Sequence, residues 1–206
     1  MQSDNQRLLI IFAKGKGESC KTRLGADIGV DKAIRIYYQI LEIYISKVDQ
    51  LGADFDLIFY VQGDESWFQQ KYPSIPIIKQ PVGDLGQKMK HVFNLLTDAY
   101  DQIIISGSDC PIIDWMDIND AFEVLESYDA VIGPANDGGY YLLGLNRILN
   151  IFERIDWGTS RVLDQTLKSI EILEKSCFQL SSKRDIDTQE DLDFYIKNGW
   201  IQLSKD

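Results

Sequence analysis

Apolar and polar positions along this chain alternate between two textures. Short, continuously apolar runs of strand length are separated by longer segments whose apolar residues recur every three or four positions. The first texture suits strands covered on both faces, the second suits helices with one buried face. "LLIIFA" (8–13) predicts the first strand. Residues 31–50 then place Ile36, Tyr37, Ile40, Leu41, Tyr44 and Val48 on one helical face, with Asp31 offering an N-cap and Gly52 a stop. "FDLIFYV" (55–61) and "IPIIKQ" (75–80) predict two more strands around a brief helix in "ESWFQQKY".

A helix follows over most of 84–100, its stripe formed by Leu85, Met89, Val92, Phe93 and Leu96. "QIIIS" (102–106) predicts a central strand, and 114–127 a helix through Trp115, Ile118, Phe122 and Leu125. "DAVIGPA" (129–135) and "YYLLGL" (140–145) are strand-like runs around "NDGG". The pattern then gives a helix at 160–174, a strand at 177–180, and a last helix opening in "TQEDLDFYI". There Thr188 and Asp191 have the spacing of a capping box. Such alternation predicts an α/β fold: a Rossmann-like three-layer αβα sandwich with a mostly parallel sheet. Ligands of such sheets lie beyond the carboxyl ends of the strands, which directs attention to loops 14–23, 80–87, 106–111 and 133–139.

Composition narrows this picture. With 206 residues, 45% of them hydrophobic, and no linker, repeat or low-complexity tract, one domain spanning 1–206 is expected. The net charge of −11 opposes nucleic acid and anionic membrane as partners. Within so acidic a chain, four of the 21 Lys and Arg residues crowd between positions 14 and 23. Three widely spaced cysteines, at 20, 110 and 177, suggest reduced thiols and a cytoplasmic location rather than a disulfide frame or zinc site. The apolar run near the amino terminus is too short for a signal peptide or a membrane span.

The four loops carry the candidate chemistry. "FAKGKGESCKTRL" (12–24) combines Gly15 and Gly17 with Lys14, Lys16, Lys21 and Arg23. Flexible backbone N–H groups and cations suit phosphate, although the spacing is not that of a Walker A loop and a plain solvated basic loop is the alternative. Asp109, in "IIISGSDCPI" (103–112), follows a strand end. It suits Mg²⁺ or Mn²⁺, while the alternative is that either Ser108 or Asp109 caps a turn beginning near Pro111. "NDGG" permits close backbone approach at Gly138 and Gly139 beside Asp137, or simply a hairpin. "PVGDLGQKM" (81–89), with Gly86 and Gln87, suits a base or ribose contact and equally a helix start. The lone histidine, His91, reads as a partly buried structural residue.

In order along the chain, "FAK…KTRL", "GDLGQKM", "GSDCP", "GPANDGGYYLLGL", "IDWGTSRVL" and "RDIDTQEDL" resemble the successive motifs of the DUF2064 family of bacterial glycosyltransferase-like proteins. The likeness runs from about residue 8 to about residue 194, and extends at the amino terminus to phospholactate guanylyltransferases and, more distantly, molybdenum-cofactor guanylyltransferases. It implies the nucleotide-diphospho-sugar transferase (GT-A) fold and a nucleotide pocket at Ala13, Lys14, Lys21, Arg23, Gly86, Gln87 and Ser108. It also implies a divalent metal, Mg²⁺ or Mn²⁺, at Asp109 and Asp137, with Lys21 sharing in catalysis and Gly138, Gly139 and Tyr140 on the acceptor side. The family's first loop usually carries prolines and is one residue longer, so "GKGESC" takes a path of its own.

The implied partners are a nucleotide or nucleotide-sugar and a small-molecule acceptor. Transfer of a sugar from a nucleotide-sugar stands slightly ahead of nucleotidyl transfer from a nucleoside triphosphate. A nucleotide-binding protein without turnover is the third reading.

Overall fold

The computed structural model describes residues 6–49 and 54–203. Along the chain these form β1 (Arg7–Lys14), α1 (Thr22–Ile28), α2 (Val30–Val48), β2 (Asp56–Gln62), α3 (Ser66–Lys71), β3 (Ile77–Lys79) and α4 (Leu85–Leu96). Then follow β4 (Gln102–Gly107), α5 (Trp115–Val124), β5 (Ala130–Pro134), β6 (Tyr140–Leu145), α6 (Val162–Ile172), β7 (Cys177–Gln179) and α7 (Gln189–Lys197). The seven strands make one sheet in the order β3-β2-β1-β4-β6-β5-β7. Only β6 runs against its neighbours, pairing antiparallel with both β4 and β5. The expected α/β sandwich with a mostly parallel sheet is what forms.

β1 shows why the central strands read as unbroken apolar runs. Leu9 and Ile11 enter one core with Tyr37, Leu41 and Tyr44 of α2 and Ile118 and Phe122 of α5. Leu8 and Ile10 enter the opposite core with Met89, Val92 and Phe93 of α4 and Ile170 of α6. Alternate side chains of a strand leave opposite faces, so a strand covered twice must be apolar throughout. A third cluster joins α1, α2 and α7 through Leu24, Ile36, Ile40, Ile186, Leu192 and Tyr195. That third cluster draws the segment before α7 to the end of β4.

Several expectations shift in detail. Residues 22–28, of which 22 and 23 fell in the expected loop and the rest in no expected element, form α1, because Leu24 has the third cluster to pack into. Gly29, with φ 92°, joins α1 to α2 and takes the N-cap position expected of Asp31, which lies in the first turn. The stop expected at Gly52 lies outside the described residues. Asp114, not Ser108 or Asp109, caps α5, accepting from Met116 N and Asp117 N. Thr188 and Asp191 do form the capping box of α7, as Asp84 and Gln87 do for α4. His91 is exposed rather than partly buried, its Nδ1 lying 2.8 Å from the Tyr60 hydroxyl. All three cysteines are free thiols. Among the described residues no helix is long and apolar enough to cross a membrane.

Candidate functional site

In the sheet order, the chain steps outward from β1 to β2 and β3, then returns to place β4 on the other side of β1. That reversal is the switch point where open α/β sheets leave a crevice. A cavity of about 510 Å³ occupies it, within the range of small-molecule sites. It is lined from the β1 end by Ala13 and Lys14, from α1 by Lys21 and Arg23, and from the β4 end by Ser108 and Asp109. Gln62, Gln80 and Lys88 line its other end.

Lys21 is the pivot. Its side chain is 2% exposed, its Nζ lies 2.6 Å from Asp109 Oδ1 and 3.8 Å from Asp187 Oδ1, and it donates to the Ile186 carbonyl. The Asp109 contact is a charge pairing off the line of a hydrogen bond, which leaves Asp109 Oδ1 without a hydrogen-bond partner. Lys21 reaches this position in a left-handed backbone conformation (φ 51°, ψ 44°), which is unfavourable for a residue with a Cβ. Ile186 N in turn donates to Asp109 O at 3.0 Å, and Arg23 Nη1 lies 3.3 Å from Asp187 Oδ2.

Asp185 completes the group. Its Oδ1 is buried with no hydrogen-bond partner. Burial, reinforced by the negative charge of Asp109, pushes its carboxyl up to about 7. Burial likewise raises Asp187, against the lowering effect of Lys21. Three aspartates thus gather around one buried ammonium, with two buried carboxylate oxygens unsatisfied. Neither Asp185 nor Asp187 stood out from composition or loop position. The available signal was the "RDIDTQEDL" motif, whose Thr188 and Asp191 read only as a helix cap.

Tyr37, expected simply on the core face of α2, also belongs here. Its hydroxyl accepts from Lys14 N at 2.7 Å and pairs with the Ser108 side chain, tying the β1 and β4 ends together. Burial is the main reason its hydroxyl titrates well above the usual tyrosine range.

The first loop is pinned rather than free. Gly15 N donates to Gln62 O at 2.6 Å and Lys16 N to Asp64 O at 3.1 Å. A Cβ on Gly15 would stand 2.0 Å from Asp64 O, so this approach requires glycine. Lys14 Nζ donates to Ser19 O at 2.6 Å, folding the loop onto itself.

Other expected residues lie apart from the cavity lining. Gly86 is buried against Trp157, whose indole would meet a Cβ at 2.4 Å, and Gln87 is engaged in the α4 capping box. Asp137 is exposed and shapes its own turn, Oδ1 accepting from Gly139 N at 2.9 Å. Its charge still contributes to raising Asp185 and Asp187. Gly138 (φ 89°) lies against the Ser160 backbone, and the Tyr140 hydroxyl contacts Met89 Sδ at 3.8 Å.

The donor set suits a hard divalent cation. Asp109, Asp185 and Asp187 offer only oxygen; two of those oxygens lack hydrogen-bond partners, although Lys21 pairs by charge with that of Asp109. Among the described residues no group of three or more acidic, His or Cys side chains is arranged to hold a metal by itself. Mg²⁺ is commonly held by one or two carboxylates together with substrate phosphates.

Known proteins resemble this chain in sequence and fold. A structure from Desulfovibrio desulfuricans G20, assigned as a nucleotide-diphospho-sugar transferase, superposes with TM-score 0.85 at 32% identity over 94% of this chain and 88% of its own. A 2-phospho-L-lactate guanylyltransferase of Methanothermobacter thermautotrophicus is 27% identical over 159 residues, 72% of this chain and 67% of its own length. Its Methanocaldococcus jannaschii counterpart is 25% identical over 140 residues, 68% of this chain, and the match spans only 60% of that relative. A family model described as "Uncharacterized protein conserved in bacteria (DUF2064)" matches residues 46–159, more than half of the chain, and this protein belongs to that family.

Proposed function

We propose that this protein is a nucleotide-dependent transferase whose reaction is nucleotidyl transfer from a nucleoside triphosphate. One observation carries the reading. Lys14, Lys21 and Arg23 line the β1–β4 end of a cavity at the sheet's switch point in a chain of net charge −11. Cations concentrated against the overall charge match a polyphosphate.

In this reading the α-phosphate lies near Lys21 and Asp109, and Arg23 meets the leaving pyrophosphate. An oxygen of the acceptor attacks the α-phosphorus, the α–β anhydride bond breaks, and pyrophosphate leaves with the electron pair, its charge neutralised by Lys21 and Arg23. Asp109, with Asp187 and Asp185, would hold Mg²⁺ or Mn²⁺, which when bound neutralises phosphate charge. Gly138, Gly139 and Tyr140 would lie on the acceptor side, and Asp137, expected at the metal, would face the acceptor there as well. The names of the two guanylyltransferases support this chemistry.

Sugar transfer is the second reading, favoured by the name given to the Desulfovibrio structure. There the acceptor attacks the anomeric carbon and a nucleoside diphosphate leaves.

Thermal shift with Mg²⁺ or Mn²⁺ and a panel of nucleoside triphosphates and nucleotide-sugars tests both readings. Stabilisation by none of them would sink the transferase proposal. The released product then decides: pyrophosphate means nucleotidyl transfer, and nucleoside diphosphate means sugar transfer.

A further inference from the structure

The cavity extends past the phosphate end, and its far wall is built from three polar side chains whose hydrogen bonds are largely committed. Gln80 lies just beyond β3, next to Gln62 at the end of β2. Three strand spacings, roughly 14 Å, separate the β3 end from the β4 end that carries Asp109. That is the reach of an extended nucleotide from triphosphate to base, so with the phosphates at Asp109 the base falls at Gln80, Gln62 and Lys88.

The amide of Gln80 has one orientation. Its Nε2 donates to Tyr60 O at 2.7 Å and more weakly to Ala13 O at 3.5 Å, and two carbonyls can be faced only by the NH₂ end. What the amide retains for a ligand is an acceptor, Oε1. Gln62 Nε2 donates to Glu18 Oε2 and its Oε1 accepts from Lys88 Nζ, each at 2.6 Å. These two bonds orient the Gln62 amide, which holds Lys88 in place. Lys88 keeps donors to spare, since an ammonium carries three and accepts none.

Glutamine recognises adenine by using both ends of its amide, and the NH₂ end of Gln80 is already spent on two carbonyls. An ammonium favours a keto oxygen, and repels the exocyclic NH₂ of adenine or cytosine. We infer that Lys88 and Gln80 select a keto base, with Lys88 donating to the base's carbonyl oxygen and Gln80 Oε1 accepting from the adjacent ring N–H. Guanine, hypoxanthine and uracil share that pattern. The inference rests on the nucleotide reading above and makes Lys88 and Gln80 its specificity residues.

The test is calorimetric titration of the whole protein, in Mg²⁺, with GTP, ITP, UTP, ATP and CTP, and with pyrophosphate alone. GTP or UTP should bind at least roughly tenfold more tightly than ATP and CTP, as expected when a wrong base leaves charged and polar groups unpaired. ITP should follow GTP, because it keeps the carbonyl and ring N–H and lacks only the 2-amino group. The GTP and UTP arms decide between an oxopurine and uracil. Lys88→Met should reduce the preference to about twofold or less while leaving pyrophosphate affinity unchanged. Equal or tighter binding of ATP or CTP overturns base selection alone. Full selectivity in Lys88→Met, or weakened pyrophosphate binding in that variant, overturns the role of Lys88. Failure of every nucleotide to bind overturns the nucleotide reading and this inference together.

Discussion

Lys21 Nζ sits 2.6 Å from Asp109 Oδ1, joining a residue at the start of α1 to one just past the end of β4. The lysine is almost fully buried, whereas the aspartate is 43% exposed. Charge on the buried partner is sustained by carboxylates reached through the tertiary fold, and their removal or its own should be felt in stability as well as activity.

Lys21→Met should lower stability by about 1–3 kcal/mol, less than the full cost of breaking a buried pair because Asp109 and Asp187 are partly solvated. In Lys21→Met/Asp109→Asn the loss should be partly recovered, while activity stays absent. Urea denaturation of the four members of the cycle measures the coupling. Additive losses would show that the two groups do not depend on each other.

Asp109→Asn should leave the protein folded, because Asp109 caps no helix and its backbone carbonyl still accepts from Ile186 N. Turnover should fall by about 10²-fold or more, as when a group that stabilises transition-state charge is lost. In the unaltered protein, chelation by EDTA should abolish the nucleotide-induced rise in melting temperature, and in Asp109→Asn chelation should change little. Turnover near the unaltered level in Asp109→Asn would remove it from the reaction.

Gly138→Ala should destabilise by about 2 kcal/mol or more and disturb the turn at Asp137. Its φ of 89° disfavours a side chain, and a new Cβ would stand 2.2 Å from Ser160 O, a backbone atom that cannot swing away. Denaturation midpoints check this, and a neutral result would mean that the segment around Ser160 yields readily.

Asp129 fastens β5 to the start of β7. Its carboxylate accepts from Ser176 N at 3.0 Å and Ser176 Oγ at 2.9 Å, and pairs with Lys175 at 3.2 Å. The Ser176 N–H is the leading cause of its lowered pKa. A carboxyl depressed by folding contributes stability above its unfolded pKa, near 3.9, and loses that contribution as pH falls through the folded value. Asp129→Asn should therefore be less stable by about 1 kcal/mol at pH 7. The gap should close in acid below about pH 4, which urea midpoints at pH 7 and pH 3 would show.

Local pattern revealed the strands and most helices because each repeats its apolar positions within a few residues. The isoleucines of β4 and the Tyr37–Leu41–Tyr44 face of α2 pack on distant elements, but their spacing is local, and the Thr188–Asp191 cap is local outright. The short helix α1 was not legible in this way. Its burial depends on α7, more than 160 positions away, and seven residues are too few for periodicity to declare themselves. His91 shows the converse error: apolar neighbours in sequence do not bury a residue that a helix turns outward.

For the site, the sequence by itself determined which residue types stand at strand ends and in the loops after them, including Lys14, Lys21, Arg23 and Asp109. Strand alternation and the carboxyl-end rule suffice to place these on one edge of the sheet. Only the tertiary structure decided that Lys21 points inward to carboxylates rather than outward as a solvated loop cation. It alone brought Asp185 and Asp187 to the end of β4, through the packing of Ile186 and α7 on α1 and α2. It likewise turned Asp137 to its own backbone and committed the glutamine amides at the far wall. The physical reason is range. Secondary structure is set by backbone sterics and nearby side chains, whereas a buried charge is fixed by whichever distant groups the core packs beside it.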